Sequence, residues 1–172
     1  HAMATDYELD PSHANARCYI DHFGTSTSHG CLYNLEGKLQ FDPAAKQGSI
    51  DISIPVAQIN TGNADFDGHM KHADILNADK YPTIRFVSNK WHFDGEKVAS
   101  VEGGLTILDK THPVTLTATK FNCYDNPMLQ ARVCGGDFEA DIDRSLWGVN
   151  FGIEHGVTKD VKLKIQVEAK KL

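Results

Sequence analysis

Long apolar runs are missing from these 172 residues; no stretch approaches the ~18 consecutive apolar side chains of a membrane-spanning helix. Positive charge is scarce as well. Seventeen Lys and Arg stand against 23 Asp and Glu, for a formal net charge of −6. Phosphate backbones are bound by concentrated Lys and Arg, so no nucleic acid is expected as a partner. There is no C-x-x-C pair and no zinc-knuckle spacing among the four cysteines. The words H-E-x-x-H and G-x-S-x-G are absent, and so is a phosphate-cradling glycine loop. No catalytic residue, metal ligand or catalytic cofactor is therefore assigned. No leader peptide is seen. His1-Ala2-Met3 reads as a cloning remnant standing where a natural start, and a leader with it, could have been trimmed. One domain over residues 4–172 is expected from the length.

What the chain does have is alternation. Ile50, Ile52, Ile54 and Val56 sit at every second position, with Asp51 and Ser53 between them. That period puts all four on one face of a strand and the polar residues on the other. Val161, Leu163, Ile165 and Val167 repeat the pattern, as do Val114, Leu116 and Ala118, and Phe138, Ala140 and Ile142. Leu105 and Ile107, then Ile84 and Phe86, begin further runs. Asp42-Pro43, Asp94-Gly95, Asn126-Pro127 and Gly135-Gly136 punctuate them with turn or bulge chemistry. About eight strands result, near 17–23, 29–41, 48–57, 83–91, 97–108, 113–123, 131–143 and 159–169. One-sided polarity favours antiparallel neighbours.

One segment follows another period. Phe66, Met70, Ala73 and Leu76 are spaced for a helix face, predicting a helix over about 64–77 with Thr61 or Asn63 as its cap. Tyr81-Pro82 ends it. Residues 144–158 are too rich in glycine and aromatics for a strand and read as a long loop. Eight strands with little helix make either a sandwich or a closed barrel, and closure removes exposed edges. A barrel of that size is either filled by its own side chains or left with room for one ligand.

Ordered words now become informative. Asp21-His22-Phe23-Gly24, Gly30, Ile59-Asn60-Thr61-Gly62-Asn63 and Asp67-Gly68-His69-Met70 are followed by Asp79-Lys80-Tyr81-Pro82-Thr83-Ile84-Arg85-Phe86. Leu105-Thr106-Ile107, Lys110-Thr111-His112-Pro113-Val114-Thr115-Leu116, Ile142-Asp143-Arg144-Ser145 and Gly148 complete the set. From about Tyr7 to Ala169 the chain resembles the YceI-like family of polyisoprenoid-binding proteins. The resemblance implies an all-β, extended eight-stranded antiparallel lipocalin-like barrel, closed at one end by one helix. It also implies a non-catalytic role in binding, storing or transporting a long isoprenoid lipid, a ubiquinone-type quinone being the leading candidate. Residence in the periplasm and homodimers are implied too. Cys18 and Gly136 stand where bulky residues are usual in the family, which takes volume out of the interior.

A polyprenyl tail has nothing to hydrogen-bond, so its affinity must come from removing hydrocarbon from water. The inward strand positions offer such a lining: Ile20, His22, Leu39 and Phe41, then Ile52, Ile54 and Phe86. Leu105, Ile107, Leu116, Phe138, Ile142 and Ile165 continue it. Phe66 and Met70 on the helix, with Trp147 and Phe151 in the loop, are candidates for gripping a ring or the tail beside it. Asp67, His69 and Arg144 are head-group candidates, with Asp143–Arg144 as an alternative ion pair. His22, His69 and Asp67 also admit a rival reading, a hydrolase or isomerase acting on a small lipid. A surface interaction module with a merely structural tunnel is the third. Lys159, Lys162, Lys164, Lys170 and Lys171 form either a solvated face or a patch for transient contact with a membrane surface. Val87 and Leu108 could supply a two-fold interface.

The cysteines fall into two local pairs, Cys18 with Cys31 and Cys123 with Cys134, each bracketing a hairpin turn. Disulfides would fit an oxidising compartment. Alternation through Ile20 puts Cys18 inside, while alternation through Leu32 puts Cys31 outside. A bridge needs both side chains on one face, so sequential pairing of Cys18 with Cys31 requires a bulge.

Overall fold

The computed structural model describes residues 5–172, and His1–Met3 lie outside them. Its strands are β1 (Thr5–Leu9), β2 (Asn15–His22), β3 (Ser26–Leu32), β4 (Glu36–Asp42), β5 (Gln47–Pro55) and β6 (Ile59–Asn60). After the helix α1 (Ala64–Lys71) come β7 (Thr83–Asp94), β8 (Lys97–Ile107), β9 (Lys110–Asn126), β10 (Ala131–Asp143) and β11 (Asp160–Lys171). Every pairing is antiparallel. The order β1-β4-β5-β7-β8-β9-β10-β11 returns to β1, which closes an eight-stranded barrel.

Two of the walls are long strands broken in the middle. β1 and β2 are separated by the 3-10 turn Pro11–His13, capped by the Asp10 carboxylate on the Ser12 N–H. Opposite, β3 and β4 are separated by residues 33–35, with Asn34 at φ 58°. The breaks face each other, the Leu35 N–H donating to the Ala14 carbonyl at 3.1 Å. β11 spans the break, pairing with β1 through Leu9–Ala169 and with β2 through Ala16–Ile165. Alternation alone predicts β3 and β4 as one strand over 29–41 and starts the first wall at 17. Five residues of Thr5–Leu9, with only Tyr7 and Leu9 pointing inward, carry too little alternation to stand out.

Bulges shift the inward parity. On β9 the inward set Val114, Leu116 and Ala118 changes to Phe121 and Cys123, because Thr119 is the extra residue opposite Asp137/Phe138. On β7 it changes from Ile84 and Phe86 to Trp91 and Phe93 across a shift between Ser88 and Lys90. Aromatics consequently collect at the end that holds the β4–β5, β7–β8 and β9–β10 turns. Phe41, 2% exposed, is their hub. Its ring centroid lies 5.8–6.1 Å from those of Tyr7, Trp91, Phe93 and Phe121. This half of the barrel is a packed core.

The helix is shorter than its apolar spacing predicts. Asn63 caps it, its side chain accepting from the Phe66 N–H at 3.1 Å, but it stops at Lys71. His72 leaves the helical region at ψ 160°, and residues 73–80 run on as turns. Wider bonds such as Leu76 N–H to Met70 C=O and Ala78 N–H to Lys71 C=O fold the chain back. Ile75 and Leu76 are buried beneath the turn. Burial of an apolar pair imitates helical periodicity when the turn itself does the folding.

Candidate functional site

The other half of the barrel is hollow. Between the β2–β3 turn, the α1 segment and the 144–158 loop lies a cavity of about 340 Å³. Small inward residues make the room. Ala16, Cys18 and Gly30 occupy positions where the far end has rings. Ile20, Ile54, Leu105, Ile107 and Ile142 line it from the strands, Phe66 and Met70 from α1, and Phe151 from the loop. Polar groups are confined to Asp21, His22, Ser28, His29, Thr61 and Arg144. Asp21, His22 and His29 are exposed, which places them at the mouth.

Ile52, Phe86, Leu116 and Ile165 line this cavity and also a second, of about 60 Å³, in the aromatic half. They form a floor. Leu39, Phe41 and Phe138 lie beyond it, around the small void. Phe86 is held against bare backbone, since a Cβ on Gly103 would come within 2.6 Å of its Cζ. Thus the expected lining set is divided between a chamber and a solid base.

Four expectations need correction. Trp147 does not reach either cavity; it is 1% exposed, and its Nε1–H donates to the Leu105 carbonyl at 2.9 Å. The 3-10 turn carrying it (Arg144–Trp147) packs against β9 beyond the last β9–β10 pair, Thr117–Glu139, so it fills a gap in the wall. Asp67 is also used locally. Its carboxylate accepts from the Thr61 N–H at 2.7 Å and the Thr61 hydroxyl at 2.6 Å, and these bonds hold its carboxyl below the usual carboxylate range. His69 is exposed and lines no cavity. Asp143 and Arg144 are no ion pair: Asp143 accepts from the Ser145 N–H and hydroxyl and meets Lys159 at 3.6 Å.

Arg144 itself is 3% exposed. Its Nε–H and one Nη2–H donate to the Thr158 carbonyl at 3.1 and 2.9 Å, and an Nη1–H donates to the Val149 carbonyl at 2.9 Å. The guanidinium lies 4.2 Å from the centre of the Phe151 ring. Burial pulls its pKa down, and the neighbouring Asp143 charge acts the other way. A single cation thus ties both ends of the loop over the chamber to the end of β10, with two of its five N–H donors left over.

Of the cysteines, Cys123 and Cys134 form a disulfide between directly opposed residues of β9 and β10. Cys18 and Cys31 are free. The register pairs Cys18 with Gly30 and Cys31 with Arg17, which sets the two thiols on opposite faces. Cys18 looks into the chamber, and burial pushes its thiol up to about 12. Gly136 does not widen the tunnel: a Cβ there would sit 2.2 Å from the Lys120 carbonyl, so the glycine admits the bulged backbone of β9. The basic face is largely neutralised, with Lys159, Lys162 and Lys164 each 3.4–3.7 Å from a carboxylate of β10. Val87 is 41% exposed, but Leu108 packs against the core. Among the described residues no three His, Cys, Asp or Glu side chains converge as a metal site.

The family model for the YceI-like domain matches residues 7–169. The chain belongs to the YceI-like family. A YceI protein of Shigella flexneri is 33% identical over 97% of this chain and 87% of its own length. A UPF0312 protein of Pseudomonas savastanoi is 37% identical over 69% of this chain, a match that spans 63% of the relative's length. Among solved structures, the Campylobacter jejuni YceI protein superposes with a TM-score of 0.75 at 26% identity, over 89% of this chain and 90% of that one. A polyisoprenoid-binding domain from Saccharophagus degradans, implicated in plant cell wall breakdown, shares the fold at a TM-score of 0.68 and 12% identity, over 99% of this chain and 100% of that one. The YceI-like match covers both the hollow and the filled half of the barrel.

Proposed function

We propose that this YceI-like barrel binds a polyisoprenoid lipid and stores or carries it without chemical change. The observation that carries the reading is the chamber: about 340 Å³, closed below by Ile52, Phe86, Leu116 and Ile165, and polar almost solely at its mouth. Such a space rewards hydrocarbon at ~0.8 kcal/mol per buried methylene and offers a head group partners only where it meets water. The polyisoprenoid-binding domain of the same fold supports this choice of ligand. A ubiquinone-type quinone is the leading head group, its oxygens reaching for the free N–H donors of Arg144 or for His22 and His29. The 144–158 loop and α1 act as the gate. The periplasm is the proposed compartment, in keeping with a disulfide. A homodimer through the strip at Val87 and a transient contact with the membrane surface belong to the same proposal.

Organic extraction of protein purified from its native host, followed by mass spectrometry, tests the reading. One prenyl lipid per chain is expected. His69→Ala and Asp67→Ala should retain the lipid, His22→Ala should hold it by its buried tail with a weakened head-group contact, and none should reveal turnover. Preparations that repeatedly yield no stoichiometric lipid would defeat the proposal.

A further inference from the structure

Resting on that reading, we infer that the chain is a selector of short prenyl ligands, with room for about three isoprene units, and that Cys18 in the side wall and Phe86 in the floor of the chamber set this length. An apolar cavity of ~150 Å³ admits benzene, so each carbon takes ~25 Å³. At ~25 Å³ per carbon, the chamber of about 340 Å³ holds roughly fourteen carbons, while the void of about 60 Å³ beneath the floor stays shut off from it. A tail of some fifteen carbons fills the space.

What bars a longer tail is solid packing. Phe86 is 3% exposed, packed against Gly103, and shared between chamber and void. Beneath it the Phe41 ring touches four other rings, and the Cys123–Cys134 bridge crosses β9 and β10 where Cys134 lines the void. Opening that base would require several packed rings to move together, and cores of this density are not continuously deformable. Extra isoprene units must therefore stay at the mouth, in water or against a membrane, where they add little affinity. In the side wall, one inward position above the Ala16–Ile165 pair, Cys18 faces Gly30 across the β2–β3 ladder, so two small residues create the chamber's width.

Delipidated protein is titrated with ten-carbon geraniol, fifteen-carbon farnesol, twenty-carbon geranylgeraniol and forty-five-carbon solanesol, with native mass spectrometry and calorimetry as readouts. Affinity should rise at least ~10-fold from geraniol to farnesol as one unit is buried, and less than ~3-fold from farnesol to either longer prenol. Cys18→Phe should move the plateau down by about one unit, and Phe86→Ala should move it up by about one as chamber and void merge. Phe86→Leu makes the same test with less lost packing if the alanine variant does not fold. Affinity that climbs steadily to solanesol, or a plateau unmoved in both folded variants, overturns the length selection and leaves prenyl binding standing. Failure of every prenol to bind overturns the proposed function itself.

Discussion

Replacing Arg144 by Met tests whether one buried cation holds the gate. The substitution keeps an unbranched apolar stem beside Phe151 and deletes three hydrogen bonds to the Val149 and Thr158 carbonyls. The buried Val149 carbonyl is then left without a donor and the part-buried Thr158 carbonyl loses two, at ~1–3 kcal/mol each. Loss of the stacking on Phe151, at 4.2 Å, adds ~1 kcal/mol. Against this, the variant no longer desolvates a cation that has only neutral partners, a relief on the order of 1–2 kcal/mol. The net cost is ~3 kcal/mol, or a fall in Tm of ~6–12 °C for a chain of this size. Arg144→Lys keeps the charge but cannot bridge two carbonyls with a planar fork, so it should lose about half as much. Urea denaturation measures the total. Hydrogen exchange localises it, and protection should fall first in residues 148–158, with ligand release accelerated in step. A variant within ~1 kcal/mol of the parent, with unchanged protection in that loop, would refute the clamp.

Three further outcomes follow from the same geometry. Because burial raises the Cys18 thiol to about 12 from 9.0, its contribution to stability is complete below pH 9 and is lost as pH rises from 9 toward 12; Cys18→Ala should flatten that alkaline decline in thermal melts, against a background that Tyr7 and Cys31, also raised, leave in place. Replacing Cys123 and Cys134 by Ser should cost ~3 kcal/mol by the loop-entropy estimate, measured by denaturation with and without reductant, and thiol titration of the unfolded parent should count two free cysteines. Asp67 has a carboxyl lowered chiefly by the Thr61 hydroxyl, so the stability it lends the 61–67 turn is present above the unfolded carboxylate pKa and disappears as pH falls below it. The Thr61 amide resonance should report that acid transition, and Asp67→Asn should abolish it.

Much of the barrel was legible because a period of two is hard to counterfeit. Ile50-Ile52-Ile54 and Val161-Leu163-Ile165 point where their alternation says, and alternation also sets Cys18 and Cys31 on opposite faces, although it leaves their pairing open. Features governed by single residues were not legible. Asn89 and Thr119 carry no mark as bulge positions, yet the shifts beside them turn Trp91, Phe93 and Phe121 inward. Trp147 looked like a ligand platform because an aromatic in a glycine-rich loop has two uses. Its Nε1–H found a strand carbonyl before it could find a ligand. Arg144 invited an acidic partner, and the chain instead surrounds it with carbonyls from residues five and fourteen positions on, a pairing with no sequence pattern.

Hollow and solid halves of one barrel use the same alternation, so periodicity cannot tell them apart; inward side-chain volume can. Where β2 and β3 form the wall, Ala16, Cys18 and Gly30 face in, and a chamber opens. Where β1 and β4 replace them, Tyr7, Leu39 and Phe41 face in, and rings from β7 and β9 meet them. The break at residues 10–14 and 33–35 is the seam between the two regimes, pinned by the Leu35–Ala14 bond. Enlarging the residues above that seam should shrink the ligand, and shrinking those below it should lengthen the ligand, because the inward positions run on through both halves and only their filling changes.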